Sequence, residues 1–280
     1  MPHPSRTFAG VEVVPLCDAI GPMGPALARP LGELFGGPGH PVWSRPGAPD
    51  PAGAWLLHFH CYLLLGPGGR TVLVDTGLGG SDSPAAAWAP VPGRLLEELA
   101  AAGAAPEDVD TVVLTHLHSD HVSGSLAPDG VTPAFPAARY VVQRAELEQL
   151  DAQAAKGAAP VHSRVVAPLR AAGRLDVIDG GRLLAPGIRA VPAPGHTPGH
   201  QCVTVGDGAL VLSGDVLHHP VQLTDPTAAY LYDDDPAAAT ATRARLLDEV
   251  RAARGTLATA HFPEPFTTLR AHAEDPAARA

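Results

Sequence analysis

The chain has 280 residues, 45 % of them hydrophobic, and a formal net charge of −10 at neutral pH. An acidic balance without a clustered run of Lys and Arg argues against a nucleic-acid partner, and no apolar run approaches the ~20 residues of a membrane span. No stretch of signal-peptide length follows Met1, and Cys17, Cys61 and Cys202 are too few and scattered for a disulfide framework, so the expectation is a single domain over 1–280 in the cytoplasm, with buried, unpaired thiols.

In chain order, residues 11–16 read as an opening strand. Residues 21–50 hold 7 Pro and 7 Gly, which excludes a long helix or central strand and predicts a loop of unusual length. Residues 55–65 and 71–75 alternate as a hairpin turned by Gly66-Pro67-Gly68-Gly69. A short amphipathic helix over 94–102 stops at Gly103, and the apolar run at 111–115 predicts the next strand. A strand at 140–142, a helix near 145–155 and strands near 175–178 and 188–191 follow. Residues 201–205 and 209–212 form a second hairpin through Gly206-Asp207-Gly208. The last long helix has Asp235 as N-cap, Pro236 in its first position and Gly255 as its stop, before a final strand at 257–259.

The stretch His116-Leu117-His118-Ser119-Asp120-His121 carries the chemistry. Three imidazoles and a carboxylate within six residues are costly to a fold unless a cation occupies them. In an extended segment residues two apart share a face, so His116 and His118 converge on one ion while Asp120 and His121, past the bend, face another. That spacing predicts two metals. His196 in Pro194-Gly195-His196, Asp215 in Ser213-Gly214-Asp215 and His261 in Ala260-His261-Phe262-Pro263 each follow a strand-like run and supply the remaining ligands.

This ordered set resembles the metallo-β-lactamase-fold hydrolases, whose pattern is H-x-H-x-D-H followed by His, Asp and His. The resemblance implies an α/β fold, a four-layer αββα sandwich built from two βα halves. It implies that His116, His118 and His196 hold the first metal, that Asp120, His121 and His261 hold the second, and that Asp215 bridges them. Two cations sharing a water supply hydroxide near neutral pH and polarise the acceptor oxygen. Nitrogen and carboxylate ligands suit Zn2+, with iron, manganese and cobalt as alternatives. Asp120 would orient the nucleophile as well as bind the second ion.

Asp75 occupies a position whose carboxylate steadies a ligand histidine in the family; capping the turn after its strand is the other reading. His200 is open between supporting the site and packing a turn. The segment from Asp215 through His218-His219-Pro220, Leu231-Tyr232-Asp233-Asp234-Asp235-Pro236 and Ala260-His261-Phe262-Pro263-Glu264-Pro265 resembles the branch containing methyl parathion hydrolase and related lactonases. Acyl-homoserine lactonases carry Tyr three residues past the bridging Asp, where this chain has His218, which could donate a proton or hold a substrate oxygen. Tyr230 and Tyr232 are expected to pack the last helix rather than to line the pocket. The expected activity is hydrolysis of a lactone or carboxyl ester in a small molecule, with phosphotriesters as a side activity. The alternatives are a thioester hydrolase resembling glyoxalase II and a non-catalytic metal-binding module. Nothing in the sequence specifies an oligomeric state.

Overall fold

The computed structural model describes residues 4–89, 91–157 and 159–269. Among these, two mixed sheets lie face to face. The first takes β1 (Arg6–Phe8), β2 (Val11–Pro22), β3 (Leu56–Leu65), β4 (Thr71–Val74), β5 (Thr111–Val113), β6 (Arg139–Gln143) and β7 (Leu175–Ile178), in that spatial order. The second contains β8 (Arg182–Ala185), β9 (Ile188–Pro192), β10 (Gln201–Val205), β11 (Leu210–Leu212), β12 (Thr256–Ala258) and β13 (Phe266–Thr268), again as neighbours in sequence. Strands β4 to β7 run parallel, as do β11 and β12; the other neighbours are antiparallel.

Alternation along the strands builds three apolar layers. Val13, Tyr62, Leu64, Val72 and Val74 of the first sheet meet Ile188, Val203, Val205 and Leu212 of the second in the middle layer. The opposite face of the first sheet, through Leu16, Leu63 and Leu73, packs on α2 (Leu95–Ala101), α4 (Arg144–Lys156) and α5 (Ala167–Ala171). The outer face of the second sheet, through Cys202, Val211 and Leu257, packs on Leu246, Leu247 and Val250 of α7 (Pro236–Ala252). The result is the expected αββα sandwich. No helix among the described residues is long and apolar enough to cross a membrane.

Both hairpins form as expected, and Gly68 and Gly69 adopt the positive φ that their turn requires. The opening strand runs six residues further than expected, to Pro22. Pro15 interrupts the signal, but β1 pairs only with Val11 to Val13, so Pro15 needs no donor on that side. Asp235 caps α7, accepting the Ala237 and Ala238 amides at 3.1 and 3.0 Å. Gly255 is not the left-handed residue of that helix end; Arg254 takes the positive φ, and Gly255 is required because a Cβ there would lie 2.3 Å from the Gly208 carbonyl oxygen.

The Pro/Gly-rich segment is ordered around α1 (Leu31–Leu34) and a 3-10 turn at Pro41–Ser44. Leu31, Leu34, Phe35 and Val42 bury against Trp55, Leu57 and Tyr230. Its backbone is zipped to the chain around Tyr230, with Leu231 N donating to Leu34 O and Gly36 N to Ala229 O, both at 2.8 Å. Cys61 and Cys202 are buried as expected, whereas Cys17 is half-exposed.

Candidate metal centre

The site forms where strands end and their backbones turn. Past β5, His116 and Leu117 lead into α3 (Ser119–Val122), which presents Asp120 and His121. The loop after β9 carries His196, the turn after β11 carries Asp215, and the loop after β12 carries His261. These are the ends at which side chains escape the ladder and face a common space.

The candidate ligand atoms fall into two groups joined by one carboxylate. His116, His118, His196 and Asp215 bring one ligand atom each within 4.8 Å of one another, as do Asp120, His121 and His261. In the first group Asp215 Oδ2 lies 3.7 Å from His116 Nε2 and 3.4 Å from His196 Nε2, and His196 Nε2 lies 3.0 Å from His118 Nδ1. In the second, Asp215 Oδ1 lies 3.2 Å from both His121 Nε2 and His261 Nε2, while Asp120 Oδ2 is 3.5 and 3.6 Å from the same nitrogens. Ligands ~2.0 to 2.1 Å from a tetrahedral zinc ion are separated by roughly 3.3 Å, so these spacings are the edges of coordination polyhedra. His116 Nε2, His121 Nε2 and Asp215 Oδ1 are buried without a hydrogen-bond partner, which is costly unless a cation is the partner. The seven residues therefore fit two metal ions.

Protons compete for the same lone pairs. Burial, reinforced by neighbouring imidazoles, holds His116 and His196 well below the ordinary histidine range. Burial also acts to lower His121 and His261, but the surrounding carboxylates, Asp215 foremost, outweigh it and raise both. Burial would raise Asp215; the His121, His261 and His218 imidazoles override it and hold the carboxyl well below its usual range.

Buried polar groups fix the ligands from behind. Asp75 steadies a ligand histidine rather than capping the turn after its own strand: Oδ2 meets His121 Nδ1 at 2.8 Å, and Oδ1 accepts the Thr115 amide at 2.8 Å, just past the neighbouring strand β5. His200 belongs to the site, its Nε2 accepting the Asp215 amide at 2.9 Å. His261 Nδ1 donates to the His58 carbonyl at 2.9 Å. Two further carboxylates carry no signal in the sequence. Asp233 Oδ1 meets His196 Nδ1 at 3.0 Å and its Oδ2 pairs with the buried Arg243 at 3.1 Å. Glu146 accepts the Leu117 amide and the Gly199 amide, both at 2.9 Å, and the Thr197 hydroxyl, tying the two ligand loops together.

A cavity of about 560 Å³ opens over the ligands, walled by Met23, Leu27, Trp55, Leu57, Trp88, Tyr230 and Tyr232. Tyr230 and Tyr232 therefore line the pocket, contrary to the expectation that they pack α7; the ordered 21–50 segment supplies the apolar surface that holds them. His218 is buried against the centre, Nε2 3.2 Å from Asp215 Oδ2, and its ring lies tilted over Tyr230 with centroids 3.9 Å apart. Nδ1 of His218 has no hydrogen-bond partner. His219 instead packs against Phe35, ring tilted, and edge-on against Trp55.

Residues 58–261 match the metallo-beta-lactamase superfamily model. An N-acyl homoserine lactonase from Bacillus sp is 31 % identical over 112 residues, covering 40 % of this chain and 39 % of that protein. The chain spans about half the length of the curated relatives it matches. The crystal structure of AbOPH, a hydrolase in the beta lactamase superfamily, superposes with a TM-score of 0.77 at 26 % identity over 98 % of this chain and 99 % of that one. AidC, a dizinc quorum-quenching lactonase solved with the product N-hexanoyl-L-homoserine, shares the fold with a TM-score of 0.77 at 20 % identity, covering 97 % and 95 %. The matched family model takes in all seven converging residues, and the chain belongs to the metallo-beta-lactamase superfamily.

Proposed function

We propose that this protein is a dinuclear zinc hydrolase that opens lactones or cleaves carboxyl esters of small, largely uncharged molecules, with phosphotriesters turned over as a side activity. The observation that carries this reading is the division of Asp215, one oxygen toward each histidine group, at the floor of an apolar cavity. His116, His118 and His196 would hold one ion, Asp120, His121 and His261 the other, and Asp215 both. Ions so held supply an acidified water as nucleophile and Lewis-acid polarisation of the oxygen under attack.

The remaining work falls to side chains. Asp120 is half-buried and lines the cavity, placed to accept a hydrogen bond from the attacking water and aim its lone pair. His218, whose Nε2 lies 3.2 Å from Asp215 Oδ2 and whose Nδ1 has no partner, is placed to hold the substrate's oxygen or pass a proton to the departing one. The aromatic and aliphatic walls desolvate an acyl or aryl group. None of the described residues lining this cavity is Lys or Arg, which weighs against the anionic thioesters of a glyoxalase II-like enzyme.

A panel of homoserine lactones, aryl esters, acyl thioesters, phosphotriesters and a chromogenic cephalosporin, run on metal-quantified protein, tests the reading. The highest kcat/KM is expected for a lactone or carboxyl ester, lost on chelation and restored by Zn2+. Turnover that survives complete chelation, or a metal-replete protein inert to every ester, would overturn it.

A further inference from the structure

A second group of metal-binding side chains lies outside the seven-residue centre. Cys17 and His60 are direct cross-strand partners in the β2–β3 pair, and His58, two residues before His60, shares its face. Each of the three offers one ligand atom within 4.8 Å of the others. The two imidazoles stack with centroids 5.5 Å apart. His60 Nε2 lies 3.0 Å from the Phe262 carbonyl. A carbonyl can only accept, so Nε2 carries the proton and Nδ1 keeps its lone pair. That Nδ1 is buried without a partner on a side chain only 7 % exposed. An imidazole that donates one N–H to a backbone carbonyl and leaves the other nitrogen bare is the usual preparation of a histidine for a metal.

We propose that Cys17, His58 and His60 form a third metal site, separate from the two-ion centre, that takes Zn2+ through one thiolate and two imidazoles. One sulfur and two nitrogens suit zinc and not the oxygen-seeking Mg2+ or Ca2+. Binding converts the Cys17 thiol to thiolate and releases its proton to solvent. Cys17 and His58 are half-exposed, which gives the ion a route in and leaves a fourth position to water. The site also has a structural consequence. The His58 carbonyl receives His261 Nδ1, and the His60 amide donates to the Ala260 carbonyl at 2.9 Å, so an ion here would brace the strand against the loop that presents His261.

Titration of the full-length apoprotein with Co2+ separates this site from the other. The seven residues of the larger centre include no sulfur, so a sulfur-to-cobalt charge-transfer band in the near ultraviolet reports on this site alone. The band is expected to saturate as three equivalents are bound, and Cys17→Ser is expected to abolish it together with the third equivalent while two equivalents still bind. His58→Ala, at a half-exposed position, is expected to weaken the third equivalent by at least about tenfold, since even losing a group behind a ligand costs that much. In the wild type, stoichiometric Zn2+ is expected to slow alkylation of Cys17, read by mass spectrometry, which keeps the proposal testable should Cys17→Ser fold poorly. Absence of the band in the wild type, its persistence in Cys17→Ser, its appearance only at large metal excess, or alkylation indifferent to Zn2+ would overturn the proposal. Each of these results leaves the two-ion reading untouched.

Discussion

His196 Nδ1 meets Asp233 Oδ1 at 3.0 Å, and the far oxygen of that carboxylate is held by Arg243, a side chain with no solvent exposure. Arg243 also donates to the Val216 and Pro226 carbonyls at 2.8 and 2.9 Å. The chain from Arg243 through Asp233 fixes the His196 ring so that Nε2 faces His118 and Asp215.

Asp233→Asn is therefore expected to weaken binding of the first ion by about 10- to 100-fold, the usual cost of losing a carboxylate behind a ligand histidine. Competition with a chromophoric chelator, on folded protein, measures it. Unchanged affinity would mean that His196 is oriented by packing alone.

Asp215→Ala is expected to be more damaging to catalysis than Asp75→Ala. Asp215 faces both histidine groups, whereas Asp75 touches only His121 among the ligands. The Asp75 variant should lose roughly 10- to 100-fold in activity or affinity, and the Asp215 variant clearly more. Equal losses at matched metal content and folding would remove Asp215 from its bridging role.

The contribution of His218 should depend on the leaving group. A nitrophenolate departs unaided, but the alkoxide of a lactone or alkyl ester is strongly basic and gains from a hydrogen-bond or proton donor. With Nδ1 lacking a partner and Nε2 beside Asp215, His218→Ala should slow alkyl substrates by up to about 10² to 10⁴-fold, the range for a general acid, and nitrophenyl substrates far less. Comparison of kcat/KM across matched aryl and alkyl substrates decides it, and a uniform loss would reduce His218 to a packing or binding role.

Asp18 makes stability depend on pH. Burial pushes its carboxyl up to about 6, Glu98 adding to the effect, while the Leu78, Arg94 and Leu95 amides act the other way. A folded-state value above the unfolded value of ~3.9 means that the folded protein takes up the proton first, so ionised Asp18 costs stability above about pH 6. That cost fades as the pH falls from 6 toward 4. Asp18→Asn keeps an acceptor for the Leu78 amide, which Oδ2 now receives at 2.8 Å, and removes the charge. The variant should be more stable than the wild type above pH 6, by at most about 3 kcal/mol, with the gap closing by pH 4. Urea unfolding at several pH values would show it, and a gap that widens on acidification would have the wrong sign.

What could be read from the sequence was what is local. His116 to His121 announced themselves because alternation and a bend are set within six residues, and the caps of α7 are likewise short-range. Glycine at 255 was legible as a constraint but not as the right one, since its neighbour Gly208 is distant in sequence. Asp233 reaches His196 across 37 positions, and Glu146 reaches Leu117 across 29; no spacing rule marks either pair. The pocket position of Tyr230 is hidden for the same reason. Its partners Phe35 and Trp55 come from the far side of the chain, in and just after a segment whose composition hid its order. The Cys17, His58 and His60 group needed the β2–β3 register, which continues through a bulge after Cys17.

The most direct measurement is anomalous diffraction at the zinc edge from crystals of active, metal-replete protein. At this centre two peaks roughly 3.5 to 4 Å apart are expected, the separation of two-metal hydrolytic sites, one beside each oxygen of Asp215 and both distinct from a third peak at Cys17, His58 and His60. A single peak at this centre, or two peaks not joined by Asp215, in crystals whose protein hydrolyses the ester panel, would contradict the bridged two-ion site.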